Sequence, residues 1–308
     1  MRNIMKRLFA VFVLSILLVS VCCVSAQDTA EAVAVVDGLE REIVIDEPVT
    51  SVVTLAPSMT EIVCALGKCD LLKGTDAYSN YPEDRPETET VVNYDQSLNY
   101  ELMLDLQPDL ILAAETTGTD QVYEMEDLGM TVFYQLNPTD FDGLYENIRE
   151  IAVLLDADEE AEGVIADMQT RVAAVESAVA NVTERPTVFY EIDASDPTKP
   201  WTSGGGTFID MLITMAGGTN IAADQEGSWL QLSEEYLIEA NPDVIILGDS
   251  NYGTDLEAVR ARAGWDAIEA VKTGAVYAFN DDLSSRPAPR LVEALEIIAG
   301  LLHPECFE

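Results

Sequence analysis

A chain of 308 residues that is 48% hydrophobic can bury one large or two ordinary cores, so composition excludes a disordered or fibrous protein. Its 56 acidic residues against 16 basic ones give a formal charge of −40, which excludes a nucleic-acid partner that would need a basic face. One histidine, His303, is the whole supply of imidazole, so serine-type triads and His-rich metal sites are poor explanations of this chain.

Residues 1–26 read as a secretory signal: Arg2, Lys6 and Arg7 precede an apolar run over residues 8–19, and the small residues Ser25 and Ala26 follow, with cleavage after Ala26. The alternatives are a retained membrane anchor, or lipidation at Cys22 or Cys23. Residues 8–24 make a run of 17, short for a span of roughly 20, and neither cysteine is preceded by a small residue. The mature chain would carry 13 basic and 56 acidic residues, net −43. Its three cysteines, Cys64, Cys69 and Cys306, have no metal-ligand spacing and leave room for one disulfide, whose pairing the sequence leaves open.

From Thr50 onward, short β-branched runs alternate with helical patterns, as in a sheet of parallel strands. A strand is expected over 51–55, then a helix over 59–66 that a capping box of Ser58 and Glu61 opens and Gly67 ends. Further strands are expected over 110–113, 131–134, 187–192, 244–247 and 275–279. Between them, Val164, Met168, Val172, Val175 and Val179 recur at spacings of three and four across 158–181, which makes one helix of roughly 36 Å. Such a strut between two α/β halves limits hinge closure. The fold class expected is α/β: two lobes with central, mostly parallel sheets joined by one long backbone helix. The lobes occupy 40–157 and 183–308, with the connecting helix at 158–182. Asn181-Val182-Thr183 is also an acceptor sequon, whose use the sequence does not reveal.

One passage occurs twice. NYELMLDLQPDLIL, from Asn99, and SEEYLIEANPDVII, from Ser233, align without gaps and share Glu101 with Glu235, Pro108 with Pro242, Asp109 with Asp243 and Ile111 with Ile245. Each copy reads as an N-cap, two turns of helix, then Pro-Asp leading into a buried strand. The two glutamates would then be equivalent acids, one per lobe. An acid in a first turn suits the helix dipole; a symmetric pair also suits two arginines of a symmetric partner. The same alignment sets Asp95 opposite Trp229.

Catalytic signatures are scarce. No phosphate loop is present, and Gly204-Gly205-Gly206 reads as a turn before the helix Phe208–Met215 more readily than as an anion cradle. Ligands of two-lobed α/β proteins bind beyond the carboxyl ends of the strands. Tyr78, Tyr81, Trp201 and Trp229 fall in loops of that kind, where they suit a flat, largely neutral ligand. The rival readings are an enzyme on the same lobes, which would show convergent carboxylates, and a surface interaction protein, which would lack an interlobe pocket.

The ordered set SVVTLAPSMTEIVCALG, DAYSNYPED, LNYELMLDLQPDLIL, WTSGGGTFIDMLITMAGGTNI, WLQLSEEYLIEANPDVIIL and SSRPAPRLVEALEIIAGLL resembles the helical-backbone solute-binding proteins of ABC importers. That family takes up vitamin B12, ferric siderophores and haem, and the match covers nearly all of the mature chain. The likeness is greatest to its cobalamin-binding members, through Tyr78-Ser79-Asn80-Tyr81-Pro82, Trp229 with Gln231 and Ser233, and Ser285-Arg286 before Pro289-Arg290. The resemblance implies an exported monomer without a catalytic cofactor, whose ligand is a cobalt corrinoid or a ferric chelate. It implies a membrane permease with its ATPase as partner, ligand contacts at Tyr78, Trp201, Trp229 and Arg286, and transporter docking at Glu101 and Glu235. Two departures stand out: Asp95 occupies the place of an aromatic ligand contact, and Leu283 replaces another aromatic near the C-terminal site.

Overall fold

The computed structural model describes residues 32–307; the expected signal segment and the alternatives at Cys22 and Cys23 lie outside the described residues. Two parallel sheets form the frame. The first runs Glu89–Val92, Leu72–Asp76, Val52–Thr54, Leu110–Ala114, Val132–Gln135 in spatial order, and the second runs Thr219–Asn220, Thr187–Glu191, Val244–Leu247, Val276–Ala278. In each sheet the strand that closes the repeated passage lies directly beside the strand that began the lobe. That adjacency is where the strand order reverses, and it opens a crevice at the carboxyl ends.

The repeat explains this placement atom by atom. Asn99 Oδ1 accepts from the amide of Leu102 at 3.1 Å, and Ser233 Oγ accepts from the amide of Tyr236 at 3.2 Å, so both seven-residue helices are capped alike. Both end on a left-handed residue, Gln107 at φ 46° and Asn241 at φ 45°. The aspartates then staple their strand to its neighbour. Asp109 Oδ2 accepts from the amides and hydroxyls of Thr50 and Ser51 at 2.8–3.0 Å, and Asp243 Oδ2 accepts from the amide and hydroxyl of Thr187 at 2.8 and 2.7 Å. Register between the first strand and the repeat strand is therefore set by side chains as well as by the ladder.

Strand alternation sorts the core into three parts. Val52, Leu110, Leu112 and Phe133 face one way, and Val53, Ile111, Ala113 and Tyr134 face the other; Val188, Tyr190, Val244 and Ile246 oppose Phe189, Ile245 and Leu247 in the second sheet. One face of each sheet borders its own small core. The other faces join a single apolar core that also takes in Met168, Val172 and Val175 of the strut, Ile62 and Leu144 of the first lobe, and Leu212 and Leu295 of the second. The strut itself is Asp158–Val179, 22 residues or about 33 Å, and it packs on both Phe141–Leu155 and Leu291–Leu302. Swinging the lobes apart would expose part of this shared core, at about 25 cal/mol per Å² of apolar surface.

The structure departs from the expected elements in three ways. The helix after the first strand spans Pro57–Ala65 with Pro57 in its first turn and no side-chain cap, so Ser58 and Glu61 do not form a capping box. Glu61 is instead drawn to two arginines of the other lobe. Trp201 and Trp229 do not lie in loops: Trp201–Ser203 and Trp229–Gln231 pair antiparallel, with Trp201 opposite Gln231 and Trp229 opposite Ser203. A hairpin, Val33–Val36 with Glu42–Ile45, also straddles residue 40 and hydrogen-bonds to the first lobe from Gly38 N to Tyr134 O.

The glycine run is a packing device. A Cβ at Gly204 would sit 2.1 Å from Gly227 O, and one at Gly205 would sit 2.3 Å from Ala223 O. The amide of Gly206 is already taken by the carboxylate of Asp210 at 3.0 Å, so the turn offers no free anion cradle there. Cys64 pairs with Cys69, leaving Cys306 free.

Candidate functional site

Two adjoining chambers of about 200 and 210 Å³ open between the lobes at the carboxyl ends of the strands. They share Ala56, Pro57 and Thr116 from the first lobe and Asp281, Ser285 and Arg286 from the second. The first-lobe residues are delivered by the turns after Val52–Thr54 and Leu110–Ala114, which are the two strands at the switch point.

The walls are aromatic. On the second-lobe side, Trp229 is 43% exposed and its ring packs on Phe208 with centroids 5.5 Å apart; both line the more apolar chamber. Directly opposed residues of an antiparallel pair share a face, so Trp201 and Trp229 project from the same side of their ribbon while Thr202, buried on the other side, donates to Tyr190 O at 2.7 Å. Trp201 does not reach either chamber. On the first-lobe side, Tyr78 meets Tyr94 edge to face with centroids 5.0 Å apart, and the Tyr78 hydroxyl donates to Tyr94 O at 3.1 Å. Tyr252 closes the rim from the second lobe.

The floor carries carboxyl groups held by hydroxyls of their own lobe. Asp76 accepts from the Ser79 hydroxyl and from the amide of Tyr78 at 2.8 Å, and Ser79 continues through Thr60 to Thr54 at 2.8 and 2.6 Å. Asp281 accepts from the Tyr190 hydroxyl at 2.8 Å, and that oxygen also meets Ser284 Oγ at 2.6 Å. Burial pushes both carboxyls above the ordinary range, against the pull of these hydrogen bonds. Gly248 is required beside the second group, since a Cβ there would approach Asp281 Oδ1 and the Tyr190 hydroxyl to 2.8 Å each.

A third feature crosses the cleft. Arg286 donates to Glu61 Oε1 at 3.0 Å, Asn80 Oδ1 at 2.7 Å, Tyr78 O at 3.2 Å and Asp282 Oδ1 at 2.6 Å. Arg290 donates to both oxygens of Glu61 at 2.8 and 2.6 Å and lies 3.7 Å from the centre of the Tyr81 ring. Asn80 Nδ2 returns a bond to Asp282 Oδ2 at 2.9 Å. Glu61, Tyr78, Asn80 and Tyr81 belong to the first lobe and the arginines with Asp282 to the second, so this network fastens the lobes along one edge of the cleft.

The residues expected at the ligand site thus separate. Tyr78, Trp229 and Arg286 line the chambers, although Arg286 has its two terminal nitrogens committed to the lock. Trp201 stands outside them. Asp95 lines neither chamber and turns to Ser97, whose hydroxyl and amide donate at 2.6 and 3.1 Å and hold its carboxyl below the usual range. Its neighbours Tyr94 and Gln96 supply the aromatic edge and the lining at that corner. Leu283 is buried in the shared core rather than in the cleft. Phe208, Tyr94 and Tyr252 were not singled out by the sequence reading; the position of Tyr94, one residue from Asp95, was the available signal. Glu101 and Glu235 are exposed, each the second residue of its capped helix. His303 is buried against Gly217 O at 3.2 Å, far from any role as a ligand at the rim.

Across residues 52–283 the sequence matches the pattern of a family described as periplasmic binding protein. It is 31% identical over 281 residues to an uncharacterized ABC transporter substrate-binding lipoprotein of Bacillus subtilis, covering 90% of this chain and 87% of that protein. It is 33% identical over 274 residues to a cobalamin-binding protein of Halobacterium salinarum, covering 87% of this chain and 73% of the relative. Among solved structures, the periplasmic vitamin B12 binding protein of Vibrio cholerae superposes with a TM-score of 0.72 at 28% identity, over 83% of this chain and 98% of that one. A periplasmic heme-binding protein of Roseiflexus superposes with a TM-score of 0.75 at 25% identity, over 84% and 99%.

Proposed function

The chain belongs to the periplasmic binding protein family, and on that premise we propose that it captures a corrinoid between its lobes outside the cytoplasmic membrane and hands it to an ABC permease. The observation that carries this reading is the cleft itself: aromatic walls from both lobes, small apolar residues at its base, and one lining cation that is already paired. Such a surface suits a broad, weakly charged ring system. The two relatives named for cobalamin and vitamin B12 point the same way.

A ferric chelate is the second reading, supported by the structural neighbour named for heme. Anionic chelates need free positive charge, and none of the chamber-lining residues offers it. Binding without covalent chemistry also fits the floor, because Asp76 and Asp281 are each pinned within their own lobe and neither is paired with a base or nucleophile that is free to react. No helix among the described residues is long and apolar enough to cross a membrane. Delivery is assigned to Glu101 and Glu235, which the repeat places at equivalent exposed positions for contact with paired basic residues of the permease.

Equilibrium dialysis against an equimolar mixture of cyanocobalamin, a neutral ferric hydroxamate and haemin tests the substrate. Retention of the corrinoid alone is expected. Retention of the hydroxamate or haemin in its place would replace the corrinoid reading by the ferric one.

A further inference from the structure

The charges around the cleft go one step beyond the choice of a corrinoid, and the step rests on that choice. Four charged side chains line the two chambers: Asp76, Asp281, Asp282 and Arg286. Arg286 is balanced by Glu61 and Asp282, and Arg290, which shares Glu61 with it, is spent on both oxygens of that carboxylate and on the face of Tyr81. No lysine lines either chamber. Asp76 and Asp281, one from each lobe, therefore face the ligand space with hydroxyl and amide donors but without an ion-pair partner among the described residues, Arg286 acting on them only through space. The chain as a whole, at −40, adds a field of the same sign.

Corrinoids differ in how they meet such a field. The trivalent cobalt and the singly negative ring leave a positive core. In an intact cobalamin with one anionic axial ligand, the phosphodiester of the nucleotide tail cancels what remains. A corrinoid lacking that tail keeps one net positive charge. We infer that Asp76 and Asp281 make this cleft selective for cationic, incomplete corrinoids of the cobinamide type over intact cobalamin and over anionic chelates. The intact molecule must bring its phosphate toward a surface with no free donor cation, whereas the shorter one brings only its positive ring and neutral amides. Two carboxylates within roughly 10 Å of a unit charge, in the effective dielectric of a half-open site, are worth on the order of tenfold in affinity.

Competition calorimetry on the purified protein at pH 8, well above the ordinary carboxyl range, compares aquocyanocobinamide with cyanocobalamin at low and at high salt. The expected result is a preference for the cobinamide of roughly tenfold at low salt, shrinking as salt screens the cleft, and reduced again in Asp281→Asn. The wild-type ratio decides the matter even where the variant folds poorly. Equal affinities, or tighter binding of cyanocobalamin, would overturn the inference while leaving corrinoid capture standing. Binding of neither corrinoid would overturn both.

Discussion

Replacing Glu61 by alanine should lower the stability of the protein by about 3–5 kcal/mol, read as a shift of the denaturant midpoint at constant slope. Glu61 is 4% exposed and, among the described residues, is the one acid paired with both Arg286 and Arg290. Its removal leaves the part-buried Arg290 without its ion-pair partner and Arg286 with Asp282 alone to balance it. Against a typical total of 5–15 kcal/mol this is a large fraction. The control is the pair Arg171–Glu296 between the strut and the last long helix, whose side chains are about one-third exposed and whose loss should cost no more than about 1 kcal/mol. Replacing Glu61, Arg286 and Arg290 together by methionine should recover most of the stability, because an apolar cluster of similar volume needs no counter-charge. A midpoint for Glu61→Ala within error of the wild type would show that the lock contributes nothing and that the shared core alone joins the lobes.

Replacing Glu101 and Glu235 together by alanine should abolish uptake in cells that carry the cognate permease, with ligand affinity unchanged. Each acid sits at the second position of a short helix, exposed, with its N-cap bond made by the preceding Asn99 or Ser233. Glu235 is held below the usual carboxyl range, chiefly by its own backbone amide and then by Ser233, so it is ionised at neutral pH. Both residues are exposed, so their truncation should leave the fold intact. Equal losses of uptake and affinity would mean that the residues act on the cleft and not on the permease, and preserved uptake would remove the docking role. Single variants should be intermediate, since each lobe would keep one contact.

The parts of this molecule that were legible in the sequence are those set by neighbours in the chain. The repeated passage showed its N-caps, its short helices and the strands after Pro-Asp because all of these are set within about ten residues; the left-handed ends at Gln107 and Asn241 and the stapling by Asp109 and Asp243 emerged only in the structure. The 3.6-residue period of Val164 to Val179 gave the strut, and alternating β-branched runs gave the buried strands. Glu61 shows where this kind of reading ends. It sits three residues after a serine, as in a capping box, but a partner 225 residues away outcompetes the local amide. The same limit explains Arg286: its side chain type and its neighbours suit a ligand contact, while its actual partners come from Tyr78, Asn80 and Glu61 of the other lobe. Trp201 and Trp229 lie in strands of three residues among glycine and polar side chains, too short for alternation to register. Asp95 adjoins a corner of the cleft without lining it, because its carboxylate is held in a turn by Ser97 while its neighbour Tyr94 packs on Tyr78.

Capture of a corrinoid against the wall formed by Trp229 and Phe208 is the central claim, and calorimetric titration of cyanocobalamin into wild type and Trp229→Ala tests it most directly. One site per chain is expected, with affinity lower in the variant by about 1.4–2.8 kcal/mol, or roughly ten- to hundredfold, as for loss of a large aromatic contact. Identical affinities in the two proteins would contradict the account, since the ligand would then be held somewhere other than between these lobes.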